Sequence, residues 1–203
     1  MLADDDPRWK HDPVTQARAA CAGGAAVVQL RAKHATDRAV LAWARAIRAA
    51  TRAAGCLFFV NDRFDLALLA EADGVHLGQE DLPPSRLPAE ARRRLRLGRS
   101  SHTLDQARRA ALEEPDYVAF GPVFGTTSKE SPWSARGVEA LREVVAAVAP
   151  RPVVAIGGID AKRAREAVAA GARGVAVISA VAGASDPVAA TRALARAFEE
   201  TAA

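Results

Sequence analysis

The 203-residue sequence has few aromatic side chains, only two cysteines and little excess of charge: 5% of residues are aromatic and the formal net charge is +4. Scarce aromatics leave no platform on which successive bases could stack. The arginines are scattered along helical stretches, as at Arg45, Arg48 and Arg52. That is the pattern of solvated helix faces, so no nucleic-acid partner is expected. No apolar run approaches the ~18 residues a membrane span needs, and no membrane association is expected. Met1-Leu2-Ala3-Asp4-Asp5-Asp6 lacks the apolar stretch of a secretory signal. We therefore expect a cytoplasmic protein. Cys21 and Cys56 lie in apolar contexts without metal-type spacing. Both are expected to be small buried hydrophobes in a reducing compartment. Lysine is scarce too: of 28 basic residues only Lys10, Lys33, Lys129 and Lys162 are lysine. Where arginine is the default cation, a lysine inside a motif marks a place for a compact ammonium.

Half of the residues are apolar. Short apolar runs at 26–31, 57–60, 73–77, 95–100, 116–120, 152–156 and 174–178 read as strands. They alternate with helical patterns at 13–22, 37–54, 63–70, 86–93, 103–112, 137–148, 160–169 and 186–200. Repeated strand–helix units imply a parallel sheet with helices outside it. No linker, low-complexity tract or repeat divides the chain, so one domain over 1–203 is expected. No glycine-rich fingerprint follows an early strand, which argues against an open doubly wound sheet. Polar motifs follow nearly every strand, as in a barrel whose loops converge at one end. The expected fold is an α/β (β/α)8 TIM barrel. Seven strands are clear. Only Met1-Leu2-Ala3 is available for the first, which is expected to be truncated or degenerate.

The strand at 26–31 is the most informative. Gln29, Arg31 and Lys33 recur at every second position, so on an extended strand they share one face. Two cations facing inward repel each other and lose hydration, and they call for an anion of more than one charge. Asn61-Asp62 follows 57–60, and Gly78-Gln79-Glu80-Asp81 follows 73–77. Two carboxylates near Arg31 and Lys33 would suit Mg²⁺ completed by substrate phosphate oxygens. Each Asp could instead cap the segment after it. Ser100-Ser101-His102-Thr103 follows 95–100. There a hydroxyl could cap the next helix, and His102 could be a base or a packed residue. The longest polar loop runs from Gly121 to Lys129, and its Thr126-Thr127-Ser128-Lys129 would make a phosphate cradle. Gly157-Gly158 and Ile178-Ser179 close the last two strands, where barrels often build a phosphate site from backbone N–H groups. One anion site with cations and a metal, and a second with amides and hydroxyls, fit a transferase that displaces pyrophosphate beside a phosphorylated acceptor.

These motifs resemble the thiamine-phosphate synthase family from about Pro13 to Ala203. The resemblance is carried by Gln29-Leu30-Arg31-Ala32-Lys33, Val60-Asn61-Asp62, Gly74-Val75-His76-Leu77-Gly78-Gln79-Glu80-Asp81, Gly121-Pro122-Val123-Phe124, Thr126-Thr127-Ser128-Lys129, Gly157-Gly158-Ile159 and Val177-Ile178-Ser179. It implies that hydroxymethylpyrimidine diphosphate loses pyrophosphate and that a thiazole phosphate nitrogen attacks the exposed methylene. By matching position, Gln29, Arg31, Lys33, Asn61, Ser100 and Lys129 would hold the pyrimidine diphosphate. Asp62 and Asp81 would bind Mg²⁺. Thr126, Thr127, Ser128, Gly158, Ile178 and Ser179 would receive the thiazole phosphate. Arg31, Lys33 and Lys129 would neutralise the leaving group. No side chain need act as a nucleophile.

The chain departs from the family pattern in its short first strand, in Gly125 where proline is common, and across Glu130-Ser131-Pro132-Trp133. Two rival readings stand beside the synthase. One is a thiazole tautomerase-like isomerase, a class that lacks the diphosphate-binding set present here. The other is a non-catalytic ligand-binding barrel, made inert by the short first strand. Self-association into a homo-oligomer is left open.

Overall fold

In the computed structural model, which describes residues 1–126 and 133–202, the strands run β1 (Leu2–Asp4), β2 (Val27–Arg31), β3 (Leu57–Asn61), β4 (Gly74–Leu77), β5 (Arg96–Ser101), β6 (Tyr117–Phe120), β7 (Val153–Ile156) and β8 (Gly174–Ala176). The helices are α1 (Pro13–Ala22), α2 (Asp37–Ala54), α3 (Phe64–Leu69), α4 (Ala89–Arg94), α5 (Leu104–Leu112), α6 (Gly137–Val148), α7 (Ala161–Ala169), α8 (Ser179–Ala182) and α9 (Pro187–Ala202). The eight strands form one sheet in sequence order. A helix follows each strand, which is the connectivity of the (β/α)8 barrel.

Local sequence sets the helix ends. Asp12 caps α1 by accepting from the Val14 and Thr15 N–H groups, and Pro13 occupies the first helical position. Thr103 caps α5 and Asp160 caps α7 by the same chemistry. Gly55 ends α2 with φ 70°, a left-handed conformation that an L side chain adopts at a cost.

The chain falls into two compact units. The first comprises Met1–His76, Leu87–Arg96 and Ile178–Ala195, and the second Leu77–Arg86, Leu97–Val177 and Arg196–Ala203. In the first, β1, β2, β3 and β4 pair in parallel. Val28, Leu30, Phe58, Val60 and Ile47 are almost wholly buried. In the second, β5, β6, β7 and β8 pair in parallel up to Ala176, with Val118, Phe120 and Leu141 buried.

The short first strand is a full partner in the sheet. Leu2, Ala3 and Asp4 stand opposite Gln29, Leu30 and Arg31, and all three are buried. Its three residues equal the length of β8. The last strand is shorter than the expected 174–178. The chain leaves the sheet after Ala176, and Ile178 already has the backbone angles that lead into α8.

Candidate active site

The expected face of β2 is only partly on a strand. Gln29 and Arg31 lie on β2, but the strand ends at Arg31 and Lys33 lies in the loop that follows. The cause is Asp5, whose carboxylate accepts from the backbone N–H groups of Lys33, His34 and Ala35 at 2.8–2.9 Å. Those three donors turn toward one side chain and are lost to the ladder.

The anion that the two cations call for is, in part, already supplied by the chain. Arg31 Nη1 donates to Asp4 Oδ2 at 2.6 Å, and Lys33 Nζ donates to Asp62 Oδ2 at 2.5 Å. Each cation thus has a carboxylate partner within the chain itself. The two differ in setting. The Asp4 side chain is fully buried, whereas that of Lys33 is 47% exposed. A pair as exposed as Lys33–Asp62 exchanges readily with solvent or a stronger anion.

Gln29 is 7% exposed, and its Oε1 is buried without a hydrogen-bond partner among the described residues. Leaving such an atom unsatisfied costs roughly 1–3 kcal/mol. A buried acceptor that meets no donor among the described residues suits a ligand donor. Asn61 ends β3 opposite His76.

Asp62 has φ 64°, and its backbone N–H donates to the His76 carbonyl at 2.7 Å. Its side chain does not cap the next helix: α3 begins with no side-chain cap hydrogen bond. The capping alternative therefore fails for Asp62, and its carboxylate is turned to Lys33 instead. Asp81, in the second unit, accepts from the Gly78 N–H at 2.6 Å through Oδ2. Both residues offer hard carboxylate oxygens on loops that follow consecutive strands. That donor type fits Mg²⁺, which is bound by one or two carboxylates with water and substrate phosphate completing the shell.

In the second unit, the Ser100 carbonyl accepts from Gln79 Nε2 at 2.5 Å. Arg99 is buried on β5, pairs with Glu113 at 2.7 Å and donates to the Gly78 carbonyl. His102 is a packed residue. Its Nδ1 lies 2.6 Å from the Gly121 carbonyl, and its ring stacks on Trp133 at 5.3 Å. Trp133 in turn carries the Arg136 guanidinium 4.7 Å from its centroid.

The glycine pair after β7 is a close-approach device. A Cβ on Gly157 would lie 2.5 Å from Pro122 Cα, and one on Gly158 would lie 2.2 Å from the Gly125 carbonyl oxygen. The Val123 and Phe124 N–H groups donate to the Ile156 and Gly157 carbonyls. The β6 and β7 loops thus meet backbone to backbone just before Thr126. Arg163 ties them further: its Nη1 donates to the Gly158 carbonyl at 2.8 Å while its guanidinium lies over the Phe124 ring at 5.1 Å. Ile178 and Ser179 belong to the first unit, where Ile178 is buried and Ser179 begins α8. Thr127, Ser128 and Lys129 lie outside the described residues, as do Glu130 to Pro132.

The thiamine monophosphate synthase family matches residues 2–181. The chain is 50% identical to the thiamine-phosphate synthase of Anaeromyxobacter dehalogenans over 93% of its own length and 84% of the relative's. It is 49% identical to that of Moorella thermoacetica over 87% of its length and 84% of the relative's. The chain belongs to the thiamine monophosphate synthase family. The solved thiamine phosphate pyrophosphorylase of Pyrococcus furiosus superposes with a TM-score of 0.87 at 40% identity, covering 98% of this chain and 95% of that one. The TIM-barrel fold of this family member is thereby shown.

Asp4, Asp5, Trp9 and Arg163 are the residues that sequence reasoning missed. The first two could have been found. Placing the short strand beside β2 in parallel register sets Asp4 opposite Arg31.

Proposed function

We propose that the chain joins hydroxymethylpyrimidine diphosphate to thiazole phosphate, releasing pyrophosphate and forming thiamine phosphate, as a Mg²⁺-dependent transferase. The observation that carries this reading is the buried amide of Gln29 beside Arg31 and Lys33, in a chain of this family. Its Oε1, unpartnered among the described residues, offers an acceptor to a donor on the pyrimidine. Arg31 and Lys33 offer charge-assisted donors to the diphosphate.

The carbon–oxygen bond to the diphosphate breaks, and its electron pair leaves with the pyrophosphate. The thiazole nitrogen then donates its lone pair to the methylene carbon. Neither step needs a nucleophile or general base from the protein. What the chain supplies is charge for the leaving group and a fixed line of approach for the acceptor. Arg31 and Lys33 take the first task, a role that Lys129 shares. Thr126, Thr127, Ser128 and the Gly157-Gly158 backbone take the acceptor's phosphate, with Ile178 and Ser179. Asn61 and Ser100 complete the pyrimidine diphosphate set. Asp62 and Asp81 are the residues that would hold Mg²⁺, which when bound supplies positive charge to the departing pyrophosphate.

The isomerase reading is not favoured, because the relatives found at close to half identity are synthases. The inert-barrel reading loses its premise, since β1 pairs with β2 along its whole length. Purified protein given both substrates and Mg²⁺ is expected to release pyrophosphate and thiamine phosphate in equal amounts, and to stop when the metal is chelated. Folded protein that releases none would refute the assignment.

A further inference from the structure

Asp4 is 1% exposed, and burying a carboxylate so completely demands partners. It has three. Oδ2 accepts from Arg31 Nη1 at 2.6 Å, while Oδ1 accepts from the Trp9 indole at 2.9 Å and from the Asp6 N–H at 3.0 Å. Its backbone is fixed as firmly. Gln16, itself buried, accepts from the Asp4 N–H at 3.0 Å and donates to the Asp4 carbonyl at 2.8 Å. The carboxylate therefore has little freedom, and it fixes one corner of the Arg31 guanidinium. Among the described residues no other ion pair engages Arg31. A guanidinium has five N–H donors in a rigid plane, so fixing one corner fixes the direction of the rest.

We propose that Asp4 is a positioning residue for the transfer reaction: it holds Arg31 so that the donors Asp4 does not use meet the substrate's diphosphate. This rests on the function proposed above. It also accounts for why a cation needed by an anionic ligand is paired beforehand. One buried carboxylate keeps the fork aimed without filling it.

Isothermal titration with inorganic pyrophosphate and Mg²⁺ tests the coupling. Asp4→Asn is expected to weaken pyrophosphate binding at least tenfold in the otherwise unaltered chain and less than twofold in an Arg31→Ala background. A general structural role would weaken both backgrounds alike. Equal losses, no loss, or tighter binding by Asp4→Asn would each overturn the proposal. Should Asp4→Asn fail to fold, Arg31→Lys serves instead, because it leaves Asp4 in place and keeps the charge but removes the fork. A loss as large as that of Arg31→Ala is expected, and retained affinity would overturn the proposal. If the unaltered chain binds no pyrophosphate, the functional reading itself falls and this proposal with it. Binding that is normal and indifferent to Asp4 removes this proposal alone.

Discussion

Substituting alanine at Gly158 separates two costs that are usually confounded. Gly158 has φ 63° and Gly55 has φ 70°, so both sit in the left-handed region. Alanine pays about 1–2 kcal/mol there from its own backbone. At Gly55 nothing lies within 4 Å of the added Cβ, so Gly55→Ala is expected to cost only that much. At Gly158 the added Cβ would meet the Gly125 carbonyl oxygen at 2.2 Å and Phe124 Cβ at 3.0 Å. A backbone oxygen cannot swing aside as a side-chain tip can. Forcing the β6 and β7 loops apart adds about 1–3 kcal/mol. Gly158→Ala is therefore expected to cost roughly 2–5 kcal/mol. Equilibrium urea unfolding of the two variants measures both numbers. The loops that would be displaced lead into Thr126. Steady-state kinetics should accordingly show a raised KM for thiazole phosphate in Gly158→Ala, with pyrophosphate affinity unchanged. Equal destabilisation by the two substitutions would refute the close approach, and an unchanged KM would refute its role in the acceptor site.

Arg63 grips two carboxylates, Asp37 at 2.7 and 3.0 Å and Asp65 at 2.9 and 2.6 Å. The guanidinium holds both below their ordinary value of 3.8. Groups so lowered add stability above that value, and the contribution is lost as pH falls through their folded values. Arg63→Gln should thus destabilise the protein at pH 7, and the gap in urea midpoint should close as pH falls below 3.8; a gap constant with pH would refute the pairing. Burial, and then the neighbouring Cys56 thiol, push Cys21 up to about 12. At pH 8 Cys21 would then be overwhelmingly the thiol and not the thiolate, the reactive form. Iodoacetamide followed by peptide mass spectrometry should find Cys21 unmodified in the folded chain and modified in urea, and rapid labelling of the folded chain would contradict this.

Much of the fold was legible because it rests on local signals. The helices at 13–22, 37–54 and 137–148 end where the sequence placed them. Asp12-Pro13 and Gly55 are strong start and stop signals, respectively, whatever the tertiary context. The strand at 174–178 was over-read. Its apolar run continues through Val177 and Ile178, which are buried although the strand has already ended at Ala176. Apolarity reports burial and not the element that provides it. The same limit hid α8, whose four residues are too few to show a helical period.

The site was legible in its cations and not in their counter-charges, for a reason that lies in the distances along the chain. Gln29, Arg31 and Lys33 are two residues apart, and strand alternation alone groups them. Asp4 and Arg31 are separated by 27 residues and Lys33 and Asp62 by 29. Only the parallel register joins such pairs. Where β1 stands beside β2, the acidic run Asp4-Asp5-Asp6 becomes three separate devices. Asp4 anchors Arg31, Asp5 gathers the backbone that carries Lys33, and Asp6 bonds Arg8 at the surface. Read as composition, three consecutive aspartates are a solvated charge cluster. Read in register, two of them decide where the cations of β2 and its following loop can reach. The shortness of β1 does not make it marginal. Its last residue and the one after it hold both ends of the Arg31–Lys33 segment, so the strand that looked weakest in the sequence aims the proposed site.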